Sequence, residues 1–169
     1  MIETSEINLI PFTWEHVEPT FEWVKDPEFQ RLFLMRGIPS KEKHQSYFNT
    51  VLADKTQRLY AVLHQGRHVG NGGIKNIDPE KKEGELWIYV GSPVMRGKGT
   101  GKCATNLLIK EAFERMNLLI IYVHVAKFNH VALKMYEHLG FKKCSDNIVS
   151  EDWQNRQHEI IKMKLKRHV

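Results

Sequence analysis

The chain has 169 residues, enough for one domain over residues 1–169 with a proper core and short for two. Its 41% hydrophobic and 27% charged content is that of a soluble globular protein, and no apolar run approaches a membrane span. The net charge of +5 is spread over alternating acids and bases, so it favours anionic ligands only weakly.

The opening stretch "EINLIPF" alternates well enough for a short strand. "TWEHVEPTFEWVKDPEF" reads as helical pieces, with Thr13 as N-cap and Pro19 as a break between two short helices. Ser40 caps a better helix, "SKEKHQSYFNTVLAD", with His44, Tyr47 and Val51 on one stripe. The period then changes from helical to alternating. "RLYAVLH", "HVGNGGIKNI" and "GELWIYVG", joined by "QGR" and "DPEKKE", predict an antiparallel meander of three strands.

A glycine-rich turn, "RGKGTGK" (Arg96 to Lys102), leads into a helix from about Gly101 to Met116, with Ala104, Leu107, Leu108, Ala112 and Met116 on its buried face. "LLIIYVHV", Leu118 to Val125, is nearly all apolar, as expected of a strand covered on both faces. "NHVALKMYEHLGF" predicts a short helix with Asn129 at its start, Gly140 at C′, and Ala132, Met135, Tyr136 and Leu139 on one face. A last strand runs from about Gln157 to Lys166, where Lys162, Lys164 and Lys166 form a solvated face and not a nucleic-acid stripe. This is one α/β domain without repeats or linkers.

The glycine turn fails two phosphate signatures. A Walker loop needs glycine where Arg96 stands and Ser or Thr where Cys103 stands; a dinucleotide fingerprint needs GxGxxG, but Gly97, Gly99 and Gly101 are spaced GxGxG. The physics still points to an anion. Glycines let amides converge, the following helix offers its positive end, and Arg96, Lys98 and Lys102 ring the turn.

No HExxH or paired Cys/His spacing occurs, so no metal is expected. Cys103 and Cys144 lack CxxC spacing and read as reduced thiols, and the acidic N-terminus is neither a signal nor a transit peptide, so a cytoplasmic protein is expected.

"RGKGTG" fits [Q/R]-x-x-G-x-[G/A], and "NHVALKMYEHLGF" fits N-x-x-A-x-x-x-Y-x-x-x-G-F through Asn129, Ala132, Tyr136, Gly140 and Phe141. In these two ordered motifs, about Glu83 to Lys143, the chain resembles the GNAT superfamily of acetyl-CoA-dependent N-acetyltransferases. The resemblance implies a mixed, mostly antiparallel twisted sheet of six to seven strands, about four helices, and a fourth and fifth strand that splay apart. It implies that backbone amides of Arg96, Gly97, Lys98, Gly99, Thr100, Gly101 and Lys102 hold the CoA pyrophosphate. The edge of Tyr89, Val90 and Gly91 would pair with the pantetheine arm, and Asn129 would bond to the pantetheine or the phosphates.

Amine attack on a thioester needs a neutral amine, a stabilised oxyanion and a proton for the thiolate. The resemblance places Tyr136 beside the thioester sulfur as that acid, although its apolar face also permits simple packing. An amide near Val90 would serve the oxyanion. The resemblance also points to Glu85 as the base, since it begins the strand where some members of the family place a catalytic glutamate; alternation sets it on one face with Trp87 and Tyr89, and a solvated glutamate paired with Lys81 or Lys82 stays open. The two cysteines give no ping-pong nucleophile, so direct transfer in a ternary complex is expected.

Trp23, Phe29, Arg31, Arg36 and Trp153 are expected at the acceptor end, with Trp23, Arg31 and Trp87 binding substrate. "WVKDPEFQRLF", "GNGGIKNID" and "GELWIYVGSPVMRGKGTG" look similar to the branch acting on nucleotide-linked 4-amino-4,6-dideoxy sugars of the pseudaminic acid type. A protein N-terminus or a polyamine as acceptor, and a non-catalytic CoA-binding module, stay open, as does a homodimer. Neither nucleic acid nor membrane is expected as a partner.

Overall fold

A computed structural model describes residues 2–151 and 156–168. Its seven strands form one sheet in the order β1-β2-β3-β4-β5-β7-β6. These are β1 Ile7–Pro11, β2 Arg58–His64, β3 Arg67–Asp78, β4 Glu83–Val90, β5 Ile120–Ala126, β6 Lys142–Glu151 and β7 Gln157–Lys166. Every neighbouring pair is antiparallel except β4 and β5. Among the described residues five α-helices occur: α1 Val17–Val24, α2 Pro27–Leu32, α3 Lys41–Ala53, α4 Thr100–Lys110 and α5 His130–His138.

The parallel pair positions everything that follows. Its ladder has three rungs, Glu83 to Ile120, Gly84 to Ile121 and Glu85 to Tyr122. Beyond them β4 continues to Val90 and β5 to Ala126 without pairing, so the strands splay as expected. The β4 edge from Leu86 to Tyr89 is left without a β5 partner, a ready template for an extended ligand, while Arg96 takes the Val90 and Gly91 carbonyls.

Core packing divides the sheet into two faces. Leu86, Ile121, Val123 and Met163, each at most 1% exposed, meet Leu108 and Ala112 of the α4 segment and Leu133 and Tyr136 of α5. Alternation then sends Glu85, Trp87 and Tyr89 to the opposite face, where α1 to α3 lie. The same alternation corrects the expectation for β5. Val123 and Val125 are buried but His124 is exposed, because that face of β5 is open to solvent.

Local chemistry explains the helix boundaries. Pro19 does not break a helix: it sits in the first turn of α1, where a missing N–H costs nothing. The break falls at Asp26, whose carboxylate caps α2 by accepting from the Glu28 amide at 2.9 Å, with Pro27 at the first helical position. Helix α4 ends at Lys110 and passes into a π-type turn over Glu111–Arg115, earlier than the expected Met116. Helix α5 ends as expected at Gly140, φ +91°, where the Phe141 amide donates to the Tyr136 carbonyl and the Gly140 amide to that of Glu137. In α3, His44, Phe48 and Val51 are buried and Tyr47 is 58% exposed, which moves Tyr47 off the expected core stripe.

Candidate active site

The glycine turn fits the anion expected of it. Gly97 and Gly99 have φ of +73° and +94°, left-handed values at which other residues are strained. Among the described residues, the amides of Gly97, Lys98, Gly99, Thr100, Gly101 and Lys102 donate to no backbone acceptor; the first that does is Cys103, to Gly99 at 3.0 Å. Unpaired amides at the start of an eleven-residue helix are a cradle for phosphate oxygens. The Lys98 and Lys102 side chains are exposed beside it.

Arg96 behaves differently from its neighbours. Its amide donates to Pro93, and its guanidinium is already committed inside the protein. Nε donates to the Val90 carbonyl and Nη2 to that of Gly91, both at 3.0 Å, while Nη1 holds Asp26 Oδ2 at 2.6 Å. That arrangement ties the end of β4 to the N-terminus of α2. The hydrogen bond from Arg96 also holds the Asp26 carboxyl below its ordinary range, against a smaller upward push from burial. The expected phosphate-facing charge of Arg96 is therefore absent.

Gly91 completes the same corner. A Cβ there would fall inside the Trp23 indole, which packs 4.6 Å from the His68 ring and 6.2 Å from Tyr89. Trp23 thus packs over the end of β4 and is not among the residues lining the cavity beside Trp87. Arg31 is also elsewhere: it forks onto Glu28 at 2.8 and 3.0 Å and lies over the Phe128 ring at 4.9 Å. Trp153 lies outside the described residues.

The cavity on the face of Trp87 and Tyr89 has a volume of about 390 Å³. Trp87, Tyr89, Phe29, Phe33, Tyr47 and Phe48 supply its aromatic wall. Among the described residues, its charged lining residues are Lys43 and Lys75. Sequence reasoning found Trp87 and Phe29 but missed Phe33, Tyr47 and both lysines; no local period marks them, since α2, α3 and β3 meet only in three dimensions. Deeper in, Asn71 donates to Tyr89 Oη at 2.6 Å and to Thr20 at 2.7 Å, and its oxygen pairs with His68 Nε2 at 2.7 Å.

Glu85 sits at the last rung before the splay with its side chain 16% exposed. Lys81 and Lys82 are not its partners. Lys75 Nζ is 3.2 Å and His124 Nδ1 3.1 Å from Oε1, and Asn76 donates to Oε2 at 3.0 Å. Burial pushes the Glu85 carboxyl up, but His124 and Lys75 together outweigh it and leave it below its ordinary value.

Tyr136 lies on the opposite face of the sheet, in the core, 4% exposed and edge-on to Phe141 at 5.2 Å. Burial raises its phenol above the ordinary value, which keeps its proton in place at neutral pH. Asn129 spends its side-chain oxygen on the Ala132 amide at 3.1 Å, leaving the Nδ2 group for other partners. Across the splay, then, a phenol stands on one side, and a carboxylate–imidazole pair with an aromatic cavity on the other. A group passing between β4 and β5 could be delivered from the first side to the second.

Comparison with known proteins gives the same reading. Residues 6–142 match the family model described as an acetyltransferase (GNAT) domain. The chain is 27% identical over 149 residues to the N-acetyltransferase 9-like protein of Caenorhabditis briggsae, covering 81% of this chain and 75% of that one. It is 25% identical over 134 residues to acetyltransferase PseH of Campylobacter jejuni, covering 79% and 82%. The crystal structure of spermidine N-acetyltransferase from Vibrio cholerae in complex with CoA and spermine superposes with a TM-score of 0.87 at 21% identity, covering 96% of each chain. With the unpaired amides of the glycine turn, the splayed strands and the family match in agreement, the chain belongs to the GNAT acetyltransferases, which transfer the acyl group of acetyl-CoA.

Proposed function

We propose that this enzyme acetylates the 4-amino group of a nucleotide-linked amino-dideoxy sugar in the cytoplasm, by direct attack within a ternary complex. The observation that carries the acceptor assignment is the cavity beside Trp87. Its aromatic wall suits a flat ring, and Lys43 on its lining suits phosphate, while Lys75, the other charged lining residue among those described, is shared with Glu85 at 3.2 Å. A polyamine would want free carboxylates in the wall; the lining holds none among the described residues, and Glu85 on the same face is spent on Lys75 and His124. The sequence resemblance to the amino-sugar branch agrees with this choice.

In this reading, the amides from Gly97 to Lys102 hold the pyrophosphate, and the β4 edge from Leu86 to Tyr89 takes the pantetheine as an added strand, the Val90 and Gly91 carbonyls being held by Arg96. Asn129 Nδ2 meets the pantetheine. Acetyl-CoA supplies an activated acyl group, placed in the gap between β4 and β5. The amine enters from the Trp87 face, a strand amide near Val90 stabilises the oxyanion, and Tyr136 on the far face gives its proton to the departing thiolate.

A second acceptor has a specific observation behind it. The N-acetyltransferase 9-like relative is among the most similar proteins, and an aromatic cavity would also hold an apolar side chain at a protein N-terminus. Thiol release from acetyl-CoA, followed with nucleotide-linked 4-amino sugars, polyamines and N-terminal peptides, separates these. Release with the sugars supports the proposal. Release confined to peptides or polyamines overturns it.

A further inference from the structure

The walls of the cavity beside Trp87 are aromatic, but Thr20, Asn71 and Tyr89 give it a polar floor. Asn71, 1% exposed on β3, ties the three together: Nδ2 donates to Thr20 Oγ1 at 2.7 Å and to Tyr89 Oη at 2.6 Å. Two neighbours set the direction of these bonds. Thr20 gives its one hydroxyl hydrogen to the His16 carbonyl, a turn back in the chain, at 2.7 Å. It therefore accepts from Asn71, which fixes the amide with its nitrogen toward Thr20 and its oxygen toward His68. His68 meets that oxygen with Nε2–H at 2.7 Å, and its buried Nδ1 has no partner among the described residues. One hydrogen is left over. Both amide hydrogens of Asn71 are spent, and Tyr89 Oη accepts one of them, so the phenol's own hydrogen cannot go to Asn71. Thr20 is the one acceptor within its reach among the described residues, and Thr20 Oγ1 already carries the bonds to His16 and Asn71. Burial raises the phenol above its ordinary value, so the hydrogen stays in place at neutral pH.

We infer that Tyr89 is a specificity-determining residue for the acceptor, giving this hydrogen to a neutral oxygen, a hydroxyl or an amide carbonyl, and that Asn71 is the positioning residue that aims the phenol. The inference rests on the acceptor lying in the cavity beside Trp87, as proposed above, and holds for any acceptor that carries such an oxygen. A cationic nitrogen on this floor would meet a donor, and among the described residues the lining offers it no carboxylate. An anionic oxygen would have a single hydrogen against the cost of burying its charge among Phe29, Phe33 and Trp87. A neutral oxygen needs only that one hydrogen. Discrimination follows from the same count. An acceptor without the oxygen leaves the phenol unsatisfied against an aromatic wall, and a site built to bond an oxygen rejects the analogue that lacks it.

Two measurements on the full chain test this. Nitrogen NMR of labelled imidazoles should find His68 protonated at Nε2 in the native protein at about pH 8. Protonation at Nδ1 would reverse the Asn71 amide, give the phenol hydrogen an acceptor there, and overturn the inference. Steady-state thiol release should be followed for native and Tyr89→Phe at saturating acetyl-CoA. The amines are the fastest of the panel and analogues of it from which each neutral oxygen is removed in turn. The native protein should lose about tenfold or more in kcat/KM for one of these analogues. Tyr89→Phe should lose about tenfold for the parent amine, chiefly through KM, and should treat the parent and that analogue alike. A packing role alone would lower all the amines together. Calorimetric CoA binding equal to native shows that the variant is folded. The inference is overturned if Tyr89→Phe stays within about twofold of native for the parent, keeps the native preference, or lowers every amine equally. It is overturned equally if the fastest amine is a polyamine, which has no such oxygen. A peptide as the fastest amine removes the sugar assignment alone, and the peptide's own carbonyls then decide this inference. Should no panel amine release thiol, the acceptor assignment falls, and calorimetric binding of the same amines to native and Tyr89→Phe decides this one by the same tenfold difference.

Discussion

Arg96→Ala should destabilise the fold through the corner where α2 meets the end of β4. The native side chain makes two hydrogen bonds at 3.0 Å to the Val90 and Gly91 carbonyls and an ion pair at 2.6 Å to Asp26. Hydrogen bonds from a charged donor are worth about 1.5–3 kcal/mol each when buried. Here the two side chains are 32% and 26% exposed, so water replaces part of that, and a total loss of about 2–3 kcal/mol is expected. Urea unfolding followed by circular dichroism reads this directly. With a slope of about 2 kcal/mol per molar, the midpoint should fall by about 1–1.5 M. Arg96→Lys should recover only part, since a lysine cannot fork onto two carbonyls and a carboxylate at once. A pH arm adds a second signature. The Asp26 carboxyl is held below its unfolded value of 3.8, so its contribution is present above about pH 4 and disappears as pH falls through the folded value. In Arg96→Ala that acid-side loss should shrink. A midpoint within about 0.2 M of native would refute the clamp and return the guanidinium to the phosphates.

Other consequences follow from the same structure. Tyr136→Phe should lower kcat about 10²-fold or more in the thiol-release assay while leaving unfolding close to native, because its hydroxyl has no hydrogen-bond partner among the described residues; unchanged kcat would make it a packing residue only. Gly140→Ala should cost about 1–2 kcal/mol in thermal or urea unfolding, since φ is +91° and Leu165 lies at 3.4 Å from the added Cβ. Gly91→Ala should displace Trp23, seen as a change in indole fluorescence together with lost stability. His16, His44 and His68 are all held below their ordinary value of 6.5, chiefly by burial. Their unfolded forms take protons first, so the melting temperature should fall as pH drops below about 6.5 and level off beneath the folded values.

Local pattern carried far in this chain. The meander, the glycine turn, the α5 cap at Gly140 and the alternation of Glu85, Trp87 and Tyr89 were all readable, because each depends on neighbours in sequence. Strand β6 was not: "KKCSDNIVSE" has no period-two pattern, being an edge strand with few core contacts to record. The His124–Glu85 contact was equally hidden, because the register of a parallel ladder is set by distant packing and by no turn. Arg96 shows the other kind of gap. Its place in the motif suggested a phosphate ligand, but its guanidinium is spent on the Val90 and Gly91 carbonyls and on Asp26, seventy residues away in the chain. Tyr47 failed for a simpler reason: the α3 stripe centres on Phe48, one position further along.

The account stands on a diphosphate held by main-chain amides. Calorimetric titration of acetyl-CoA into the native protein and into Gly99→Val, each checked for its fold by circular dichroism, tests it most directly. The native chain should bind at micromolar levels and the variant, unable to hold φ near +94°, should lose about 100-fold or more. Equal affinity in the two proteins would show that the nucleotide sits elsewhere.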